Sequence, residues 1–182
     1  MTANVKALKW TLASLSLLLL QSSAHPQESD ACTHFKWDVS HERSLMLQEP
    51  QPIDAATSPA ATLPRLQLDT LYELRLAPQS AVKFALPPGE ERAADDAHAG
   101  LVQFRVGTDA TYRVSISTGH WVDVVDGKRL IESRDFSSEH DCDRPHKLVQ
   151  FDLPGGRALI LQLSGSQASA VLVAISPVVG EH

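Results

Sequence analysis

The chain has 182 residues, of which 43% are hydrophobic and 21% charged, a composition typical of a globular protein and not of a disordered or collagenous one. Its formal net charge of −6 argues against a nucleic-acid-binding protein, which would carry a basic surface. Its 9 glycines and 11 prolines are too few for a low-complexity protein.

The first residues have the pattern of a secretory signal peptide. A short region with two lysines precedes an apolar run from Trp10 to Leu20, and small residues suited to cleavage end at Ala24. The apolar run is shorter than the roughly 20 residues that a membrane-spanning helix needs. We therefore expect residues 1–24 to be a signal peptide and the mature chain to start at His25, with no transmembrane segment. Arginine outnumbers lysine and alanine is abundant, which is the codon bias of a GC-rich genome. This bias favours a bacterial protein, which the signal peptide would make periplasmic or secreted.

Cys32 and Cys142 are the only cysteines of the chain. In an exported protein two cysteines usually pair, so the sequence predicts a disulfide between them. Such a bridge would stabilise the fold mainly by removing conformational entropy from the unfolded chain. The alternatives are a metal thiolate or two separate buried thiols.

Residues 25–65 are predicted to form an N-terminal segment. Phe35–Leu47 is interpreted as one short helix or an extended lead-in, which either Asp38 or Ser40 is able to cap. Residues 48–64 contain four prolines and many alanines, which predict a flexible Pro/Ala-rich crossover and not a core element.

From residue 66 onward, short apolar runs alternate with polar residues at a period of two, which is the pattern of half-buried β-strands. Asp126-Gly127 between two such runs predicts a hairpin. No helical pattern separates the runs, which disfavours a parallel α/β sheet. We expect residues 66–182 to be an all-β domain, an antiparallel β-sandwich or jelly roll of about eight to nine strands. The runs are Tyr72–Leu76, Val82–Leu86, Val102–Val106, Tyr112–Ile116, Trp121–Val125, Lys128–Glu132, Val149–Leu153, Leu159–Leu163 and Val171–Ile175.

Two of these runs share the pattern V-x-F-x-L-P-x-G, at Val82–Gly89 and at Val149–Gly156. Each is interpreted as a half-buried strand that ends at a proline turn. Either two strands arrived at the same turn chemistry, or the two segments descend from a duplication.

Two resemblances add to this interpretation. Residues 68–125 contain Gln103–Val106 followed by Thr111–Ser117, and these two strands resemble the bacterial pre-peptidase C-terminal type of β-sandwich. Cys32–Ser40 and Cys142–Lys147 are similar to the C-x-x-F-x-W-D-V-S and C-D-x-P-H-K patterns of a group of short secreted proteobacterial proteins. The first resemblance implies a sandwich fold and the second implies export, and neither supplies an activity.

Among the residue types that bind metals or take part in catalysis, histidine is the enriched one, with eight in the chain. His34, His140 and His146 lie within four residues of a cysteine, and Asp141 and Asp143 adjoin Cys142. A disulfide would draw these imidazoles into one neighbourhood, and imidazole with carboxylate is a ligand set for zinc or copper. The alternative is that the histidines are half-exposed hydrogen-bonding residues.

His120 and Trp121 lie at the start of a predicted strand, where an aromatic ring beside an imidazole could stack on a sugar or a peptide. The alternative is that Trp121 fills the core. The chain has no G-x-S-x-G or H-E-x-x-H motif, no phosphate-binding loop and no dinucleotide fingerprint.

The sequence therefore predicts an exported, non-catalytic binding or structural β-sandwich protein of the bacterial envelope, with an envelope polymer or another exported protein as its partner and no cofactor. The alternative is a periplasmic metal-binding protein or metalloenzyme that holds zinc or copper through His34, His140 and His146.

Overall fold

The computed structural model describes Met1, residues 30–90 and residues 96–178. The predicted signal peptide lies outside these residues. Within them, no helix combines the length and the apolar character needed to cross a membrane.

Eleven β-strands in the described residues build two sheets that face each other. The strands are β1 (Gln51–Asp54), β2 (Tyr72–Arg75), β3 (Ala77–Pro78), β4 (His98–Arg105), β5 (Ala110–Ile116), β6 (Trp121–Asp126), β7 (Arg129–Ile131), β8 (Ser133–Ser138), β9 (Lys147–Leu153), β10 (Ala158–Ser166) and β11 (Ala170–Pro177). The six-stranded sheet has the order β1-β2-β11-β5-β9-β8, and the five-stranded sheet has the order β3-β4-β10-β6-β7. Neighbouring strands are antiparallel except β1 and β2, which are parallel. The predicted all-β antiparallel sandwich is confirmed.

The main core lies between the two sheets. Phe104 and Leu161 of the five-stranded sheet belong to one buried cluster with Val114 and Phe151 of the six-stranded sheet. Successive side chains of a strand point to opposite faces, so the period-two runs supply this interior directly. Each Val, Leu or Phe side chain that is fully buried contributes about 1.5–3 kcal/mol.

The predicted hairpin at Asp126-Gly127 is confirmed. It joins β6 to β7, with Asp126 paired to Arg129. Gly127 has a φ of 62°, in the left-handed region that a two-residue hairpin turn requires and that glycine adopts without steric cost.

The strand predicted at Val82–Leu86 does not form. Its backbone bonds to a side chain instead of a neighbouring strand, because Gln162 Oε1 accepts the amides of Ala85 and Leu86 at 2.8 and 3.2 Å. Val82 packs against the outer face of the five-stranded sheet. The two V-x-F-x-L-P-x-G segments therefore have different structures, since Val149–Leu153 lies within β9.

The Pro/Ala-rich crossover, predicted to be flexible, follows a defined path along β4 at the edge of the five-stranded sheet. The amides of Ala56 and Leu101 each donate to the other residue's carbonyl at 2.9 Å, and the Gln103 amide donates to Pro64 O at 2.8 Å. Part of the crossover is itself β1, which pairs with β2. These contacts use main-chain groups, which the side-chain pattern does not report.

An N-terminal layer, residues 32–47, covers the outer face of the six-stranded sheet. The predicted disulfide is confirmed and ties this layer down, because Cys32 and Cys142 are bonded across a sequence separation of 110. The predicted helix is shorter than Phe35–Leu47 and spans α1 (Ser40–Met46). Asp38 Oδ1 accepts the Ser40 amide at 2.9 Å, which satisfies a free donor of the first turn.

A buried ion pair lies beneath this layer. Glu42 of α1 and Arg113 of β5 are 2% and 4% exposed and pair at 3.3 Å. Ser176 Oγ donates to Glu42 at 3.1 Å, and Arg113 Nη1 donates to Asp38 O at 2.8 Å. With the amide oxygen of Gln150 turned towards Arg113, it accepts from Nε and Nη2 at 3.1 and 3.2 Å. Both charges are hydrogen-bonded several times, which offsets the cost of removing them from water.

Candidate functional site

A groove opens at the side of the sandwich where the chain passes from one sheet to the other. The chain leaves the five-stranded sheet after Ile131 and enters the six-stranded sheet at Ser133. Strand β7 pairs only with Val124–Asp126 of β6. Within the described residues, the first half of β6 therefore has no strand on this side, and the interior is reached between β6 and β8.

We call this opening the seam groove. Its narrow part has a volume of about 70 Å³, and a larger part of about 250 Å³ adjoins it and shares Trp121, Val122 and Ser133. Both parts are lined by apolar and polar residues together. The remaining lining residues are Phe136, Lys147 and Val149 in the narrow part and Gly89, Asp123, Leu130, Ile131, Glu132 and Phe151 in the larger part.

Phe136 is the most conspicuous residue of the groove. It lies in a polar strand, pairs with Val149 of β9, and is 55% exposed. The only other large hydrophobic residues so exposed in the described part are Met1 and Leu47. Phe136 and Trp121 line the same narrow cavity. Aromatic and apolar surface concentrated in a concave site is the usual mark of a binding site.

Two of the three aromatic rings that line the groove, Trp121 and Phe136, have a lysine ammonium above them. Lys147 Nζ lies 5.4 Å from the ring centre of Trp121 and donates to His120 O at 3.2 Å. Lys36 Nζ lies 5.5 Å from the ring centre of Phe136 and pairs with Asp135 at 2.8 Å. At these distances a cation is attracted to the ring face. The groove therefore offers apolar faces with positive charge beside them.

Asp123 supplies the buried carboxyl of the groove. Its two oxygens accept from Trp121 Nε1 at 2.9 Å and from the Gly89 amide at 3.1 Å. Burial raises the pKa of Asp123 above its ordinary value, and these hydrogen bonds oppose that change. The carboxyl thus holds the Trp121 indole and the Gly89 turn in place.

Of the predicted pair His120 and Trp121, only Trp121 lines the groove. The His120 side chain is fully buried, so its imidazole has no face on which a ligand can stack. Its Nδ1 is 2.6 Å from Thr118 Oγ1. Burial, together with the nearby His98 and Lys147 charges, lowers the pKa of His120 to about 4. His120 is therefore a neutral structural residue.

The three histidines predicted to bind metal are only partly brought together. His140 and His146 lie with ring centres 5.9 Å apart, beside the disulfide. Among the described residues, however, no three His, Cys, Asp or Glu side chains are placed to hold one metal ion. The His34, His140 and His146 site is corrected to a contact between two imidazoles. A disulfide fixes backbone proximity, and ligand geometry needs side-chain convergence as well.

A larger depression of about 410 Å³ lies beside Asp109, Thr111 and Asp152. Its polar groups already bond to one another. Thr111 Oγ1 donates to Asp152 Oδ1 at 2.6 Å, and the Gly155 amide donates to Asp109 Oδ1 at 2.7 Å. It is less suited to bind a ligand than the seam groove, because its side chains satisfy one another.

Phe136 and Lys147 were not identified as site residues from the sequence. Phe136 is the only aromatic residue in Ser133–Ser138, and a single large apolar side chain in a polar strand is the signal that could have identified it. Lys147 is the last residue of the C-D-x-P-H-K pattern that begins at Cys142, but that pattern says nothing about what its side chain contacts. The ring that it contacts, Trp121, lies in the other sheet, and no spacing in the sequence predicts a contact between the two.

Comparisons of the chain with protein-family models, with curated proteins and with solved structures each found no match. The two resemblances noted from the sequence therefore stay predictions.

Proposed function

We propose that this protein is an exported, non-catalytic binding module of the bacterial envelope that holds part of its partner in the seam groove. The partner is an envelope polymer or another exported protein. The observation that carries the proposal is the half-exposed Phe136 ring, which shares one narrow cavity with Trp121 at the open side of the sandwich.

Export is supported by the disulfide and by the N-terminal sequence pattern. The bond between Cys32 and Cys142 is compatible with an oxidising compartment. The residues up to Ala24 have the charge, apolar run and small residues of a signal peptide.

A binding role is supported by energetics. Fully burying an exposed aromatic side chain contributes about 1.5–3 kcal/mol. Phe136 is 55% exposed, so a ligand that covers it gains roughly half of that without rearranging the core. In protein interfaces a few residues contribute most of the binding energy, and aromatic residues are common among them. Ser133 and Glu132 supply polar groups at the rim that can orient the ligand.

The test uses the mature chain from His25 and measures binding to purified peptidoglycan sacculi by sedimentation and to periplasmic extract by immobilised-protein capture. Phe136→Ala should weaken the interaction at least about tenfold, because an aromatic anchor is lost. Leu47→Ala is the matched control, since Leu47 is 67% exposed on the N-terminal layer and should bind as the native protein does. Equal binding by the native and Phe136→Ala proteins would contradict the proposal.

A further inference from the structure

Strand β8 is the longest sheet edge in the described part of the chain. The four edge strands are β1 and β8 of the six-stranded sheet and β3 and β7 of the five-stranded sheet. Strands β3 and β7 have only two and three residues, and the four residues of β1 include Pro52, which has no amide to donate. Strand β8 has six residues and no proline. Exposed edges are usually shortened, covered, charged or bulged, and the first half of β8 has the charged Arg134 and Asp135 and a register shift between Ser133 and Asp135. The edge that pairs regularly with β9 is therefore Asp135–Ser138.

The middle of the β8 edge is covered by an exchangeable surface ion pair. The Phe136 amide donates to the carboxylate of the adjacent Asp135 at 2.8 Å. Lys36 of the N-terminal layer pairs with the same carboxylate at 2.8 Å and lies over the Phe136 ring. Because Lys36 and Asp135 are 55% and 42% exposed, this pair is worth at most about 1 kcal/mol. A carbonyl from another chain can take the place of Asp135 on this amide at little cost.

We propose that the seam groove binds an extended peptide segment of an exported partner, which pairs with the β8 edge as an added strand. One apolar side chain of the segment lies between Phe136 and Trp121. This inference rests on the proposed function and names its ligand class.

The alternation of side chains explains why an added strand reaches the groove. Phe136 pairs with Val149, whose side chain belongs to the interior cluster, so both face the inside of the six-stranded sheet. Every second side chain of a strand added to β8 faces the same way. Strand β7 stops at Ile131, so these side chains meet the open groove and not a second sheet.

The charges around the β8 edge are paired with one another. Lys36 pairs with Asp135 at 2.8 Å, and Arg134 pairs with Asp152 at 3.3 Å. Asp123 and Glu132 line the groove as well, so its lining does not select an acidic residue in the segment. Main-chain hydrogen bonds then give affinity, and the apolar pocket gives specificity.

The test selects a displayed random heptapeptide library on the disulfide-bonded mature chain and synthesises the enriched peptides with single backbone N-methyl groups. N-methylation at one set of alternate positions should weaken binding at least about tenfold, because those amides pair with β8, and the other set should tolerate it. Phe136→Ala should weaken binding at least about tenfold, whereas Asp135→Ala should keep or raise the affinity because it uncovers the Phe136 amide. Leu47→Ala is again the control.

Each contrary result overturns the peptide proposal. These results are no enrichment over an unselected library, tolerance of N-methylation at every position, or loss of affinity in Asp135→Ala. Phe136-dependent sedimentation with sacculi but no selected peptide assigns the groove to a component of the sacculus and leaves the proposed function standing. Self-association of the native chain that Phe136→Ala abolishes assigns the edge to a second copy. If no envelope component depends on Phe136, the proposed function itself fails.

Discussion

The two sheets of the sandwich are covered on their outer faces in different ways. The N-terminal layer sits on the six-stranded sheet through a disulfide and a buried ion pair, and its apolar contact is small, with Leu45 and Met46 against Leu71 and Ala174. The cover of the five-stranded sheet consists of the crossover and the segment around Val82, which use apolar packing and main-chain hydrogen bonds.

The difference shows which of the two covers depends on a single bond or a single pair of residues. Apolar packing and main-chain bonds are present wherever the chain folds, whereas a disulfide depends on the redox state and a buried ion pair depends on both partners. The N-terminal layer should therefore be lost in response to single chemical changes, and the cover of the five-stranded sheet should weaken only gradually. The following predictions test this contrast.

The largest effect is expected for Glu42→Leu. Removing Glu42 leaves the Arg113 guanidinium buried without its charge partner, which should lower the free energy of unfolding by about 4 kcal/mol. Urea denaturation measures this loss. The double variant Glu42→Leu/Arg113→Met should recover most of it, since apolar residues replace the whole pair. Asp54→Asn, which breaks the exposed pair with Arg75, is the control and should cost less than about 1 kcal/mol. A similar cost for both single variants would refute the contrast.

Replacing both cysteines should have the next largest effect. Cys32→Ser/Cys142→Ser removes a constraint on a long stretch of unfolded chain and should lower the free energy of unfolding by about 3 kcal/mol. Hydrogen exchange should increase most in α1 and least in the crossover at Ala56 and Leu101. Equal increases in both covers would show that the disulfide does not act on the N-terminal layer.

Acid should weaken the sandwich itself through His120, which belongs to neither cover. Its pKa is lowered from 6.5 to about 4 by burial, so below pH 6.5 the unfolded chain binds a proton that the folded chain does not. Stability is therefore retained above about pH 6.5 and falls as the pH drops towards 4, by about 3 kcal/mol from this residue. Denaturation of native and His120→Gln proteins across this pH range measures the effect. His140→Gln should keep the native acid sensitivity, and identical pH profiles for native and His120→Gln proteins would exclude the assignment.

The smallest effect is expected for Val82→Ala in the cover of the five-stranded sheet. The change removes about two methylene equivalents of buried surface and should cost about 1.5 kcal/mol. The Gln162 bonds to Ala85 and Leu86 should hold the segment in place, so its hydrogen exchange stays close to that of the native protein. A cost as large as that of Glu42→Leu would reverse the comparison.

Most strands were predictable because their signal is local. The runs at Tyr112–Ile116 and Leu159–Leu163 alternate strictly, and each became a strand of the interior. Strands β1, β3 and β8 were missed, since the first contains Pro52, the second has only two residues and the third is polar apart from Phe136. Their pairing depends on the partner strand and not on their own pattern.

The candidate site was predictable only in part. Trp121 was identified as a possible ligand contact from its position, and it lines the seam groove. Its neighbours in the groove, Phe136 and Lys147, come from β8 and β9 in the opposite sheet. The prediction of a site formed by three histidines was wrong for a similar reason. Closeness in sequence to two bonded cysteines does not orient the imidazole rings towards one point.

The order of residues alone was enough to specify an antiparallel sandwich and its disulfide, because alternation of side chains and cysteine number are properties of the chain. Tertiary contacts decided that β7 stops short of the first half of β6 and that Phe136 lies beside Trp121. They also placed Glu42 against Arg113, 71 residues further along. These features join residues from distant segments, and their energies depend on burial and distance, which exist only once the sheets have packed.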